Sequence, residues 1–204
     1  EAKSVGLRTL VHAHSEESMR FATLAGCTQI EHGIFATQAV LNSMAEHGTF
    51  FEPQCGLIFR NYLENRTKYE GGGNFNEEGF SSMQRAIPMA SNIIRQASAT
   101  PGIKLVWGTD AVAGAHGRET DDLICRVREG GQPAMAALIS ATSGGADALG
   151  LGKEIGSLAK GYHADIIAVA GDASLRLEDL RRVTFVMSRG VVRRLDGAAV
   201  ARVP

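Results

Sequence analysis

Short apolar runs alternate with stretches of helical spacing along the first three quarters of the chain. Runs rich in β-branched and aromatic residues predict strands over 9–12 (TLVH), 28–31 (TQIE), 49–52 (TFFE) and 104–107 (KLVW). Helical spacing predicts a helix over 16–25, stopped by Gly26, and a second over 37–47. In the second, Val40, Leu41, Met44 and Ala45 fall at helical spacing, Thr37 is placed to cap and Gly48 to terminate. A third helix over 81–99 contains Pro88, where a missing N–H and a ring clash predict a kink or a break into two. Two more are expected over 120–128 and 133–141, the latter with Pro133 at its start. Strands alternating with helices in this way are the pattern of βαβ units and a parallel sheet.

Two stretches depart from that pattern. Residues 53–80 form a long connection with a triple glycine and a polar tail, carrying Phe59, Tyr62 and Tyr69. Connections this long are uncommon in compact domains, and the segment reads either as a substrate-covering lid or as an ordered surface insertion. After Leu151 the helical period stops, and 155–172 and 183–194 read as strands joined by Gly and Asp turns. The glycine-rich "SGGADALGLG" follows a helix and reads as a helix junction. The organisation expected is thus an α/β part over 1–152 and a small β-module over 153–204. Four strand–helix units are half of an eight-stranded (β/α)₈ TIM barrel. The rival, an open doubly wound sheet, usually shows a glycine-rich first turn, and no GxGxxG is present.

Composition narrows the classes. The chain has 204 residues, 44% hydrophobic, and a formal charge of -1, so it can bury a substantial core. Acids and bases are interspersed, with no basic stripe to suggest nucleic acid and no apolar run long enough to span a membrane. Cys27, Cys55 and Cys125 are sparse and unpaired by any CxxC, which argues against a disulfide framework and for a reducing, cytoplasmic setting.

Three polar groups close apolar strands: His12 in "LVHAH", His32 in "QIEHG" and Asp110 in "VWGTDA". In a (β/α)₈ barrel the strand ends converge on one mouth, where catalytic groups gather. Imidazole and carboxylate suit a cation such as Zn²⁺, which lowers the pKa of a bound water from about 15.7 to about 7. A nearby carboxylate can then take the proton and pass it on. The alternatives are a hydrogen-bonded structural histidine and an Asp serving as the N-cap of the next helix. His14 lies two residues beyond His12 and would share its face of the strand, as a second ligand or a bystander. His116 falls in the loop beyond Asp110 and could line the same mouth, whereas His47 at a helix end and His163 in the β-module read as structural. There is no GxSxG elbow, and Cys55 is read as packing.

In order, "LVHAH", "IEHG", the long connection, "GTDA", "HGRE", "ATSGGADALGL" and "IGSLAKGYHADIIAV" resemble the C-terminal half of the amidohydrolase superfamily. The likeness is to its imidazolonepropionase-like and Xaa-Pro-dipeptidase-like metal-dependent hydrolases. The resemblance implies strands five to eight of a (β/α)₈ barrel followed by part of a small β-sandwich. It implies one or two divalent ions, often zinc, and hydrolysis of an amide, peptide-like or cyclic C–N bond. By the same resemblance His12 maps to the metal histidine of strand five, His32 to that of strand six, and Asp110 to the strand-eight aspartate that binds metal and acts as general base. His14 becomes a neighbour of the metal or a substrate-side residue. The strand-one HxH pair and the strand-four lysine or glutamate have no counterpart. "VHAH" cannot replace the former, because it precedes "IEHG" by the spacing of adjacent strands. A fragment of a longer enzyme is therefore expected, with the N-terminal half-barrel as its natural partner and self-association through open sheet edges. The substrate expected is a small molecule or dipeptide-like amide, oriented by His116, Arg60 and Tyr62, with the Arg60 guanidinium suited to a carboxylate. A related deaminase or decarboxylase on the same barrel and a non-catalytic remnant or assembly module are the alternatives.

Overall fold

The structure, a computed structural model, describes residues 1–200. The last four positions of the expected β segment, 201–204, lie outside the described residues. The chain divides into two compact units, Glu1–Gln132 and Pro133–Pro204, so the change of texture near Leu151 lies inside the second.

In the first unit, β1 (Leu10–Ala13), β2 (Gln29–His32), β3 (Phe50–Glu52) and β4 (Lys104–Leu105) form a parallel sheet in sequence order. Helix α1 (Glu16–Leu24) follows β1 and α2 (Gln38–His47) follows β2. Helices α3 (Leu57–Glu64), α4 (Arg66–Tyr69) and α5 (Glu77–Ser98) lie between β3 and β4, and α6 (Glu119–Arg128) follows β4. Local chemistry sets the helix ends. The Ser18 amide donates to Ser15 Oγ at 3.2 Å and the Val40 amide to Thr37 Oγ1 at 3.4 Å, while Gly48 closes α2 at φ 67°.

Alternation along the strands builds the core. Val11, Ala13, Ile30, Phe51 and Leu105 pack with Met19, Val40, Leu41, Met44, Ile93 and Ala97 from the helices. Fully burying a side chain such as Ile30, Leu41 or Phe51 contributes about 1.5–3 kcal/mol. The opposite face is polar: Gln29 and Glu31 are buried there beside Glu52.

The segment 53–80 is an ordered insertion built largely of helix rather than an irregular loop. Tyr62 and Tyr69 meet edge to face at 4.8 Å, Phe75 packs on both, and Arg66 lies over Phe80. This aromatic cluster gives the short helices α3 and α4 an apolar surface to bury, and Tyr69 Oη donates to the Ala113 carbonyl at 2.6 Å. Helix α5 begins four residues earlier than expected, where Asn76 Oδ1 accepts from the Gly79 amide. It also runs through Pro88 as one helix. Gln84 and Pro88 are both exposed, so the carbonyl left without its N–H partner lies where water reaches it.

The expectation that the cysteines stay unpaired is corrected. Cys55 and Cys125 form a disulfide across 70 residues, with Cα atoms 5.8 Å apart. Sequence spacing carried no sign of it, because the fold alone brings the turn after β3 against α6. The argument for a reducing compartment falls with it. Next to the bridge, Asp122 accepts the Cys55 amide at 2.7 Å and Arg126 donates to the Val106 carbonyl at 2.8 Å. Burial pushes the Asp122 carboxyl up to about 6 and the Arg126 guanidinium down to about 10, each opposed by the charge of the other. Among the described residues no helix is long and apolar enough to cross a membrane.

In the second unit, α7 (Ala134–Ala141) and α8 (Ser143–Leu149) precede an antiparallel sheet of β5 (Ile166–Val169), β6 (Val183–Ser188), β7 (Val191–Leu195) and β8 (Ala198–Ala199). The "SGGADALGLG" stretch is itself the helix α8, closed by Gly150 at φ 77°. Of 155–172 only β5 is strand, whereas 183–194 holds the β6–β7 hairpin. Buried Asp179 accepts from Arg176 at 2.7 Å, Arg182 at 2.6 Å and the Asp172 amide at 3.0 Å, and the two arginines hold its carboxyl at about 2.

Gly33 shows how tightly the first unit is built. It has φ 58°, and a Cβ there would lie 2.4 Å from Phe51 Cε2. Gly33→Ala is expected to cost about 1–3 kcal/mol, read as a lower urea midpoint with an unchanged slope.

Candidate functional site

The site gathers where the parallel strands end. His12 and Glu31 are ladder partners and share the inner face, as do Glu31 and Glu52. Strict alternation would send His32 to the helix side with Ile30. Its backbone instead turns left-handed, at φ 69°, and swings the imidazole toward His12. His12 Nδ1 and His32 Nε2 meet in a short contact, with ring centroids 4.7 Å apart and planes tilted by 35°. His14 stacks on His32, at 4.7 Å and 8°. His32 Nδ1 lies 2.8 Å from Gln54 Oε1.

Asp110 also has a left-handed backbone, at φ 49°. Such a conformation costs a non-glycine residue of order 1–3 kcal/mol and concentrates at functional sites. The other two non-glycine cases among the described residues, Arg189 and Asp196, precede glycines in the tight turns of the second unit's hairpins, where positive φ is ordinary.

Asp110 lines a cavity of about 270 Å³ together with His14, His32, Gln54 and Tyr62. The rest of its wall is largely apolar, including Ile34, Ile58, Phe59 and Val112. Burial lowers the pKa of His14, and the neighbouring imidazoles of His32 and His12 lower it further, against the pull of Asp110. Burial raises the Tyr62 phenol, with Tyr69 and Asp110 adding to the effect.

Deeper on the same face lies an acid pair. Gln29 Nε2 donates to Glu31 Oε1 and to Glu52 Oε2, both at 2.8 Å. Burial, and then the neighbouring Glu31 carboxyl, push Glu52 up to about 8; burial raises Glu31 as well. Gly108 makes the room, since a Cβ there would lie 2.0 Å from Glu52 Oε1.

Of the residues singled out in the sequence, the structure brings His12 and His32 together and puts His14, Tyr62 and Asp110 on the adjoining cavity. Among the described residues, however, no group of three or more His, Cys, Asp or Glu side chains is arranged to hold a metal ion. His12, His32 and Asp110 therefore do not close as a three-ligand set. Arg60 is not on the cavity wall; it pairs with Glu129 at 2.7 Å, held there by the packing of α3 on α6. His116 is 72% exposed in the turn three residues before α6, 3.7 Å from Glu119. Sequence reasoning missed Glu31, Glu52 and Gln54. The available signal was a carboxylate at the inward position of two successive apolar strands.

Comparison with known proteins defines the class. The model of the amidohydrolase family matches residues 1–195, and the chain belongs to that family. Ochratoxinase from Aspergillus niger is 27% identical over 171 residues, covering 83% of this chain and 33% of that protein. Among solved structures, a Xaa-Pro dipeptidase with methionine bound in its active site superposes with a TM-score of 0.81 at 31% identity, covering 95% of this chain and 46% of its own. The A. niger ochratoxinase structure gives a TM-score of 0.78 at 22% identity, over 96% of this chain and 43% of that one. The chain thus spans about a third of the length of the curated relatives it matches.

The acid pair makes stability depend on pH. Glu52 binds its proton up to about 8 in the folded chain and only up to about 4.5 when unfolded, so the native state holds the extra proton between these values. Stability is therefore expected to fall as pH rises from about 4.5 to about 8, with Asp122 adding to the decline below about 6. Urea unfolding across this window checks it, and Glu52→Gln should flatten the slope.

Proposed function

We propose that the chain is the C-terminal half of a (β/α)₈ barrel hydrolase, followed by part of a small β-sandwich, and that the enzyme cleaves an amide or related C–N bond with the help of a divalent cation. The observation that carries this reading is the convergence of His12 Nδ1 and His32 Nε2 at adjacent strand ends, beside a cavity lined by Asp110. The order β1-β2-β3-β4 leaves β1 and β4 as edges, and Leu7 and Leu10 are exposed beside one of them. The remaining strands of a barrel would cover these edges and supply further ligands.

The donor chemistry suits the cation. Two imidazole nitrogens directed at one point would repel as lone pairs unless a proton or a metal lies between them, and imidazole is the commonest ligand type for zinc. His12 and His32 would hold the ion, and Zn²⁺ is the metal proposed. When bound, it would supply a water of lowered pKa and polarise the scissile carbonyl. The Asp110 carboxylate takes a proton from the attacking water and returns it to the departing amine nitrogen. The apolar wall of Ile34, Ile58, Phe59 and Val112 excludes water and accepts an uncharged part of the substrate. With Arg60 paired to Glu129, no Lys or Arg side chain is among the described residues that line this cavity. A small-molecule or dipeptide-like amide fits this cavity, and the related proteins named for prolyl dipeptides and ochratoxin support amide cleavage.

In the enzyme carrying this chain, Asp110→Asn should lower kcat by about 10²–10⁴-fold while leaving the fold and the bound metal in place. Activity retained in that variant would refute the proton-transfer role. Removing the metal with a chelator should abolish turnover and Zn²⁺ should restore it. Release of free carboxylate and amine, rather than ammonia alone, separates amide hydrolysis from deamination.

A further inference from the structure

Glu52, Gln54 and His32 form a hydrogen-bond chain whose direction is set at one end by the backbone. Gln54 Nε2 donates to the Glu52 carbonyl oxygen at 3.1 Å and to Glu52 Oε1 at 3.2 Å. A backbone carbonyl only accepts, so the amide must present its NH₂ group to Glu52 and its oxygen to His32. That oxygen also only accepts, and it lies 2.8 Å from His32 Nδ1. The hydrogen of the neutral His32 ring therefore sits on Nδ1, and Nε2, the atom facing His12, is left as a lone pair. The chain is anchored below as well, because Gln29 Nε2 holds Glu52 Oε2 at 2.8 Å. Gln54 is buried, at 9% exposure, so no solvent competes strongly for its oxygen.

We infer that Gln54 is a positioning residue: it fixes the tautomer and ring orientation of His32 so that Nε2 is ready to bind a cation together with His12 Nδ1. The inference rests on the metal-site reading of these two histidines, and extends it to a residue of the cavity wall that acts on the ion only through His32. The stack of His14 on His32 holds the ring plane, but a stack does not distinguish one ring nitrogen from the other. The hydrogen bond from Nδ1 does. Without it, both tautomers become accessible, and the one protonated on Nε2 cannot coordinate through that atom.

Long-range ¹H–¹⁵N correlation of the His32 ring in the metal-free protein tests this directly. The wild type should show a single Nδ1–H tautomer, and Gln54→Leu, which removes the acceptor at similar size, should show a mixture. Gln54→Glu, which keeps an acceptor oxygen facing the ring, should retain Nδ1–H. Zn²⁺ titration of the same three proteins should give an affinity about 10–100-fold weaker for Gln54→Leu, with Gln54→Glu closer to the wild type. A folded Gln54→Leu variant, judged by near-ultraviolet circular dichroism, that keeps the wild-type ring signature and Zn²⁺ affinity would overturn the inference. A wild type that takes up no Zn²⁺ would overturn the metal reading instead, and the ring signatures would still decide the role of Gln54.

Discussion

The register of the parallel ladder between β1, β2 and β3 is the constraint on which the site depends. It sets His12 opposite Glu31 and Glu31 opposite Glu52, so the inner face carries histidine and carboxylates while Ile30 and Phe51 face the helices. A slip of one residue would carry Ile30 to the polar side and Glu31 into the helix-facing core. The buried apolar side chains hold that register, and the chemistry inherits it. His32 then leaves the alternation through its left-handed backbone, which is what brings a second imidazole to the first.

The inner face places buried polar groups where apolar ones would pack more simply. Gln29 bridges Glu31 and Glu52, Gln54 links Glu52 to His32, and the opposite charges of Asp122 and Arg126 offset each other's burial. Groups of this kind cost free energy unless each is satisfied; the two glutamines do this for Glu31, Glu52 and His32, whereas Asp122 Oδ1 and Arg126 Nε and Nη2 have no hydrogen-bond partner among the described residues and are offset by charge alone. The gain is directional: amide and carboxyl groups can orient an imidazole, which apolar packing cannot. The Cys55–Cys125 bridge ties the segment directly after Gln54 to α6, next to the Asp122 contact with the Cys55 amide. The glutamine and glutamate groups of the inner face thus lead to His32 in the proposed metal site.

Much of the fold was legible in the chain. The first three strands and the helices α1 and α2 follow from apolar periodicity, Ser15 and Thr37 as caps, and Gly48 as a stop. The segment 53–80 was harder, because its helices are short and depend on aromatic contacts between Tyr62, Tyr69 and Phe75 that local spacing does not reveal. The unbroken passage of α5 through Pro88 depended on which side of the helix faced water. In the site, His12, His32 and Asp110 stood out because polar residues closing apolar strands are visible in a sequence. Gln54 and Glu52 did not, since their roles rest on distances across strands. Arg60 looked suited to a substrate carboxylate only while Glu129, far along the chain, was left out of account.

By itself, then, the sequence determined the βαβ pattern, the strand-end histidines and the family. These follow from periodicity and local capping, which act over a few residues, and from motifs that survive in linear order. Only the tertiary structure decided that Cys55 pairs with Cys125, that Arg60 is committed to Glu129, and that Gln54 accepts from His32. Each of these is an interaction between residues distant in sequence or displaced by an unusual backbone angle. Their geometry exists only once the sheet has aligned and the helices have packed.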